Sequence, residues 1–410
     1  MTNELENEPK LRFPEFNEEW EEKILDEVST FSKGKGISKN DLSKDGTPCI
    51  LYGELYTTYD FIINKIKSKT LLDTKNLVKG KKNQVLIPSS GETPLDIATA
   101  AVINTTEDML LGGDINVLTP VQKYDGKFIS LSINGKNKSN LSKYAQGKSV
   151  VHLYNNDIKK LKIKFPVKNS EQRKIGDFFS KLDRQIELEE QKLEKLEEQK
   201  KGYMQKIFSQ ELRFKDGNGN NYSEWIKTNL KFLVSYKNGK GYEKEVVQNG
   251  KYNIINLNSI STKGMLKDSG KYTDFEDITL KKNDLIMILS DVAKGNLIGK
   301  TAIIDQDDKY LLNQRVASLR IKDESTSNVL FIYYFINYFR QYFINMSTGM
   351  SQLNINKSTV EDFLIYLPYI EEQDKIGNFF SNLDKSIIKQ LDKIELLKER
   401  KKGFLQKMFV

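Results

Sequence analysis

The pattern of apolar and polar positions is most regular in two segments that repeat one another at a spacing of 201 residues. Residues 171–208, EQRKIGDFFSKLDRQIELEEQKLEKLEEQKKGYMQKIF, align without gaps on 372–409, EQDKIGNFFSNLDKSIIKQLDKIELLKERKKGFLQKMF, and 21 of the 38 positions are identical. In both copies the stripe advances by alternating steps of four and three, the period of a helix with one buried face. Its rungs are Ile175, Phe179, Leu182, Ile186, Glu189, Leu193, Leu196, Lys200, Tyr203 and Ile207, and then Ile376, Phe380, Leu383, Ile387, Gln390, Ile394, Leu397, Lys401, Phe404 and Met408. Two rungs, 189/390 and 200/401, are polar in both copies. A polar residue inside a seam costs stability but fixes register; a local bend or a wet helix end would give the same pattern. At about 1.5 Å per residue each helix is about 57 Å long, and a helix of that length with one apolar stripe needs a partner. The nearest candidate is the other copy. The first helix leads from one globular body to the next and the second leads back, so the pair is expected to be antiparallel.

The duplication extends into the bodies. Leu11, Arg12 and Phe13 recur as Leu212, Arg213 and Phe214, Trp20 recurs as Trp225, and SKGKG (32–36) resembles YKNGKG (236–241). Before each helix, Gly147, Ile158 and Pro166 match Gly349, Val360 and Pro368. Between these anchors the copies differ almost everywhere. Short β-branched and aromatic runs, QVLIPSS (84–90), TAAVI (99–103), DLIMILS (284–290) and KTAII (300–304), predict strands between Gly- and Asn-bearing turns. One helix is expected per body, for example Asn328 to Phe343. The expected class is α+β: a tail (1–10), a mixed α/β body (11–167), a long helix (168–211), a second body (212–369) and a second long helix (370–410). The helices form an antiparallel coiled coil in a pseudo-twofold internal repeat, with a core of Ile175, Phe179, Leu182, Ile186, Leu193, Leu196, Ile207, Ile376, Phe380, Leu383, Ile387, Ile394, Leu397 and Met408.

Composition narrows the functions available. The 410 residues carry a net charge of +8, with 64 Lys and Arg against 56 Asp and Glu. That excess suits a polyanionic partner, nucleic acid foremost, although a lysine-rich proteome gives the same balance. One cysteine, Cys49, excludes an intramolecular disulfide and a Cys-based zinc site. The lone histidine, His152, leaves little room for a His base and is expected on a strand. No run reaches the roughly 18 apolar residues of a membrane span, and the polar start is unlike a signal peptide, so a cytoplasmic protein is expected.

Enzyme motifs fail on inspection. GNLIGKT (295–301) is one residue short of a P-loop and runs into a strand-like segment, so the phosphate cradle lacks its helix. No Asn-Pro-Pro-Tyr-like tetrapeptide marks an amino-methyltransferase pocket, and no acidic spacing marks a metal nuclease. Loops able to meet DNA are better represented. Lys33 and Lys35, beside Gly34 and Gly36, read as a flexible cationic turn, mirrored by Lys237 and Lys240 with Tyr242 following. Lysines neutralise phosphate; each one alone would also pass as ordinary surface. Base reading needs paired donors and acceptors. Candidates are Ser89, Ser90, Glu92 and Thr93 in the first body, and Ser290, Asp291, Lys294, Asn296, Gln314, Arg315, Ser351 and Gln352 in the second. Taken singly, each of these reads more readily as structural than as base-reading.

The LRFPEF…EW opening, the Gly-led segment ending in Pro166 or Pro368, the two EQ-x-K-I-G-x-F-F-S-x-L-D helix starts, and their order along the chain together resemble the specificity subunit of Type I restriction–modification systems. The resemblance covers essentially the whole chain. It implies a non-catalytic reader of double-stranded DNA, each body recognising one half of a split, asymmetric target. It also implies helices that dock two adenine-methylating modification subunits and, where present, two restriction subunits. S-adenosylmethionine, ATP and Mg then belong to those partners, and no cofactor or metal to this chain. A coiled-coil adaptor that reads no DNA and a single-chain DNA-modifying enzyme are the alternatives.

Overall fold

The computed structural model describes residues 8–292 and 297–410. The chain divides into two compact units, one running to Gln191 and completed by Asp392–Val410, the other spanning Lys192–Leu391. The division falls within the two long helices, Asn169–Phe208 and Ile370–Lys407. The reason is antiparallel packing. In the first unit Asp183 meets Lys401 at 2.7 Å, Glu190 meets Lys398 at 2.6 Å, and Glu189 pairs with Lys393, so numbering falls along one helix as it rises along the other. In the second unit Lys200 meets Asp384 at 2.6 Å and the Tyr203 ring lies 5.1 Å from Phe379. Each unit therefore contains the start of one helix and the end of the other.

The two units repeat one topology. In the first, strands Ser29–Lys33, Ile115–Pro120, Val85–Pro88, Ala101–Ile103 and Ile62–Ile63 form a five-stranded sheet in that order. In the second, Val234–Asn238, Val316–Ile321, Leu285–Ile288 and Thr301–Ile303 follow the same order. A second sheet in each unit contains a parallel pair, Leu110–Leu111 with Thr47–Ile50 and Tyr310–Leu312 with Tyr252–Ile255. A short ribbon brings the beginning and end of each body together, Glu21–Ile24 against Lys162–Phe165 and Ile226–Asn229 against Leu364–Leu367. The central strands are Val-, Ile- and Leu-rich and buried on both faces, as sheets covered on both sides require. The expected helix from 328 to 343 is broken into Val329–Tyr338 and Gln341–Asn345. The break lets Phe343 cover Gly299, where a Cβ would lie only 2.5 Å from the Phe343 Cβ. The first body's helix is broken as well, with a π-turn at Ile133–Asn137.

The apolar stripe serves two purposes. Leu182, Ile186 and Leu397 pack helix on helix, with Phe404 beside them. The outer rungs leave the seam and enter the body cores: Ile175 and Phe179 join Trp20, Phe128, Phe165, Met408 and Phe409, while Ile376 and Phe380 join Trp225, Phe331, Ile207 and Phe208. These rungs were expected in the coiled-coil core; they sit under sheet and helix instead because the bodies close over the helix ends. Leu193, Leu196 and Leu383 are half-buried, and Ile387 and Ile394 are buried. No helix among the described residues is long and apolar enough to cross a membrane.

Candidate nucleic-acid interface

The repeated motifs first fix the frame that carries the loops. Glu171 opens the first helix fully buried and accepts two bonds from Arg12, from Nε at 2.8 Å and Nη2 at 2.9 Å, and one from Trp20 Nε1 at 3.3 Å. Glu372 accepts the equivalent bonds from Arg213, at 3.1 and 2.6 Å, and from Trp225 at 3.1 Å. Bidentate pairing with guanidinium and an indole donor satisfies a carboxylate that could not otherwise be buried. The next residue ties the helix to the body. Gln172 donates to the Pro166 carbonyl and accepts from Asp125 N, as Gln373 does with Pro368 and Asn328. A turn later Gly176 and Gly377 let that helix cross the body's own helix closely, since a Cβ would fall 2.8 Å from Lys127 Cβ or 2.7 Å from Leu330 Cβ.

Four turns meet on each body. In the first, Gly34 rests on the Gly112 carbonyl, Lys35 N donates to Leu111 O at 3.0 Å, Ser89 N donates to Asp114 O at 2.8 Å, and Ser90 Oγ lies 3.1 Å from His152 Nδ1. Lys33 Nζ lies 5.6 Å from the Tyr154 ring centre. In the second, Gly239 rests on the Asn313 carbonyl, Lys240 N donates to Leu312 O, Leu289 N donates to Arg315 O at 2.9 Å, and Gln352 Nε2 donates to Ser290 Oγ. The turns around 33–36, 112–114, 89–93 and 147–154 thus adjoin, as do those around 237–241, 313–315, 289–290 and 349–354.

The side chains divide sharply by accessibility. Lys33, Lys35, Glu92, Thr93, Lys237, Lys240, Gln314, Arg315 and Ser351 are exposed, and Gln352 is half-buried. Ser89, Ser90, Ser290, Asp291 and Tyr242 are buried and build the turns from inside; as side chains aimed at bases they are corrected to scaffold. Asp291 Oδ2 accepts from Leu297 N at 2.7 Å. Tyr242 donates to Asp277 Oδ2 at 3.0 Å, and burial, with Asp277 beside it, pushes its hydroxyl up to about 12. Thr93 caps the short helix Pro94–Ile97. The glycine–lysine turns, expected to be flexible, are packed against the neighbouring strand. A Cβ at Gly34 or Gly239 would lie 2.0 or 1.9 Å from a carbonyl oxygen, and the lysine N–H that follows is bonded to the neighbouring strand. Lys240 is also held by Asp277 at 2.7 Å, which takes that carboxyl down to about 2. Lys294 and Asn296, and the start of the P-loop-like segment, lie outside the described residues.

Asp277, Glu243 and Tyr154 were not singled out from the sequence. Asp277 holds Lys240, Glu243 accepts from Gln314 Nε2 at 2.7 Å, and Tyr154 lies beside Lys33. They sit far from their partners in sequence, and no periodicity marks them. The turn at 112–114 could have been found: LLGGDI (110–115) aligns on LLNQRV (311–316) at the same 201-residue offset, and Asp114 and Arg315 share a left-handed backbone, φ 58° and 68°.

Comparison with known proteins places this architecture. The chain is 24% identical over 413 residues to the Type I restriction enzyme MjaVIII specificity subunit of Methanocaldococcus jannaschii, spanning 96% of this chain and 92% of that one. It is 27% identical over 192 residues to a putative type I specificity subunit of Mycoplasma pneumoniae, spanning 46% and 47% of the two chains. Its fold is similar to that of the crystallised S subunit of the Type I restriction–modification system of M. genitalium, with a TM-score of 0.66 at 17% identity over 98% of this chain and 99% of that one. The family profile of the Type I restriction modification DNA specificity domain matches twice, at residues 17–198 and 222–398, once in each half of the duplication. The chain belongs to that family.

Proposed function

We propose that this chain is the non-catalytic, DNA-reading subunit of a cytoplasmic Type I restriction–modification complex, each body recognising one half of a split double-stranded target. The observation that carries the reading is the contrast between frame and rim. The Arg–Glu–Trp clamp occurs twice with the same residue types, and the Gln bridge and the glycine crossing occur twice with the same geometry. The exposed rim does not: Gly113 and Asp114 in the first body correspond to Gln314 and Arg315 in the second. A duplicated scaffold bearing unlike reading edges fits an asymmetric bipartite target. Lys33, Lys35, Lys237 and Lys240 would contact phosphate, and Glu92, Thr93, Gln314, Arg315, Ser351 and Gln352 would face base edges. The long helices would dock two modification subunits, which carry S-adenosylmethionine, and restriction subunits where present, which use ATP and Mg.

The test has two parts. Mapping methylated adenines in cells that carry this chain and its modification subunit gives the target; replacing residues 11–167 with another body should then change one half of the motif and leave the other intact. An unchanged motif would favour the protein adaptor. Purified chain with S-adenosylmethionine and DNA should transfer no methyl group until the modification subunit is added, and transfer by the chain alone would defeat the reading.

A further inference from the structure

Just before each long helix the chain makes the same small excursion from the rim. Gln146 and His152 exchange backbone bonds at 2.9 and 2.7 Å, and Thr348 and Asn354 do so at 2.9 and 2.8 Å. Inside each excursion the first residue is a glycine in the left-handed region, Gly147 at φ +127° and Gly349 at φ +115°. A Cβ there would lie 2.1 Å from the Val150 carbonyl oxygen or 2.0 Å from that of Gln352, so only glycine closes the turn. The frame is held in both copies while two of the three tip residues change: Lys148 and Val150, on either side of Ser149, stand where the second body has Met350 and Gln352 around Ser351. In the second body Gln352 binds the tip to Ser290 of the rim, and Asn354 Nδ2 donates to Gln352 O at 3.0 Å within the turn itself. At the head of this rigid turn Met350 is fully exposed, the most exposed large apolar side chain among the described residues.

We propose that Met350 is the apolar base contact of the second body, presented by a pre-formed turn beside the polar readers Arg315 and Gln352. A large thioether wholly in water at the end of this turn buries no area on folding, so its apolar surface is left for a partner to cover. DNA offers two apolar surfaces to such a side chain, the thymine 5-methyl group in the major groove and the face of a base pair opened at a step. Either contact depends on sequence, and the duplicated frame with a variable tip is what a device for changing specificity needs. The inference rests on the base-reading role proposed above.

The experiment uses the full chain with its modification subunit on its mapped target. Each thymine of the second half-site is replaced in turn by deoxyuridine, which lacks only the methyl group, and 2-aminopurine is placed in turn at the purines. With the wild-type chain, one deoxyuridine position should weaken binding about fourfold, the value of burying one methyl group, or one 2-aminopurine should brighten on binding as its step opens. Met350→Ala should abolish whichever response occurs and leave first half-site discrimination intact. The tip is solvent-exposed, so this variant should fold as the wild type does. A Met350→Ala chain with an unchanged response at every second half-site position, or a wild-type chain with no response at any, overturns the proposal. If the body swap fails to change the motif, the base-reading role itself falls; if the swap succeeds and these substitutions are silent, only Met350 is refuted.

Discussion

Glu171 and Glu372 are the side chains on which each body and its helix depend. Each is buried, each accepts from a guanidinium and an indole, and each loses all of those bonds on truncation. Glu171→Ala leaves Arg12 largely buried without its carboxylate, and Glu372→Ala does the same to Arg213. Removing one member of a buried pair costs about 3–5 kcal/mol. Both variants should therefore lose comparable stability in urea unfolding of the full chain, and a loss below about 1 kcal/mol in either would show that its clamp does not hold the helix. At the rim, lysines should differ by their partners. Lys237→Ala should lower the slope of log affinity against log salt by about 1, as the loss of one phosphate contact requires. Lys240→Ala should lower it less, because Asp277 already neutralises that ammonium. Equal slopes for the two variants would mean that Asp277 releases Lys240 on binding.

Between the helices, the polar rung at 200/401 is an ion pair made twice. Lys200 meets Asp384, and Lys401 meets Asp183, the same two positions exchanged by the 201-residue repeat. The environments differ. Tyr334 donates to Asp384 Oδ2 at 2.7 Å, whereas Asp183 Oδ2 has no hydrogen-bond partner, and Lys401 is shared with Asp60. Burial pushes the Asp183 carboxyl up to about 6 against the pull of Lys401. In the unfolded chain the same group titrates near 4. Between those values the folded state binds more protons, so stability from this group is greatest below about pH 4 and falls as pH rises to about 6. Asp183→Asn should flatten that part of the profile in urea unfolding between about pH 4 and about pH 7; an unchanged slope would assign it to other carboxylates. The rung was legible as a polar break in an apolar stripe, since periodicity exposes what departs from it. Its partners were not, because Asp183 and Asp384 lie just off the stripe. The same limit applied to the strands: Val85–Pro88 and Leu285–Ile288 were visible as apolar runs, but the pairing that brings 112–114 beside 34 and 89 depends on contacts between distant segments. The buried rim serines misled for a related reason, since a small polar residue after a strand looks the same whether it faces water or its own turn.

At the scale of the whole chain, one junction occurs twice, once covalently and once not. After the first helix, Leu212 N donates to Lys206 O at 3.0 Å; at the equivalent place Leu11 N donates to Lys407 O at 2.9 Å, although these residues stand at opposite ends of the sequence. Five residues, 207–211, span the covalent version, and Gln210 among them has φ +62°. Joining Val410 through one glycine to Lys10 also leaves five, 408–410, the glycine and Lys10, with the glycine at the left-handed position. Pro9 could not take that place, because its ring fixes φ near −65°. A permuted chain that begins at Glu211 and ends at Gln210 should therefore fold and direct methylation to the original motif, while the same permutation with Pro9 retained at the joint should be less stable. The repeat also predicts what half of the chain does. The first body's core needs Leu405 from the second helix and Met408 and Phe409 just beyond its end, and residues 1–210 alone lack them. They do carry Met204, Ile207 and Phe208 at the matching positions, and both Asp183 and Lys200. Two copies can thus supply each other's missing helix end and form two Asp183–Lys200 pairs about a twofold axis. Fragment 1–210 should sediment as a dimer and, with the modification subunit, methylate an interrupted palindrome built from the first half-site. Lys200→Asp should dissociate it and Asp183→Lys together with Lys200→Asp should restore it, because the exchanged charges meet again only if the helices pair antiparallel. A folded monomer at high concentration would mean that the helix end is dispensable to the core, contrary to the burial of Phe409 against Trp20 and Phe128.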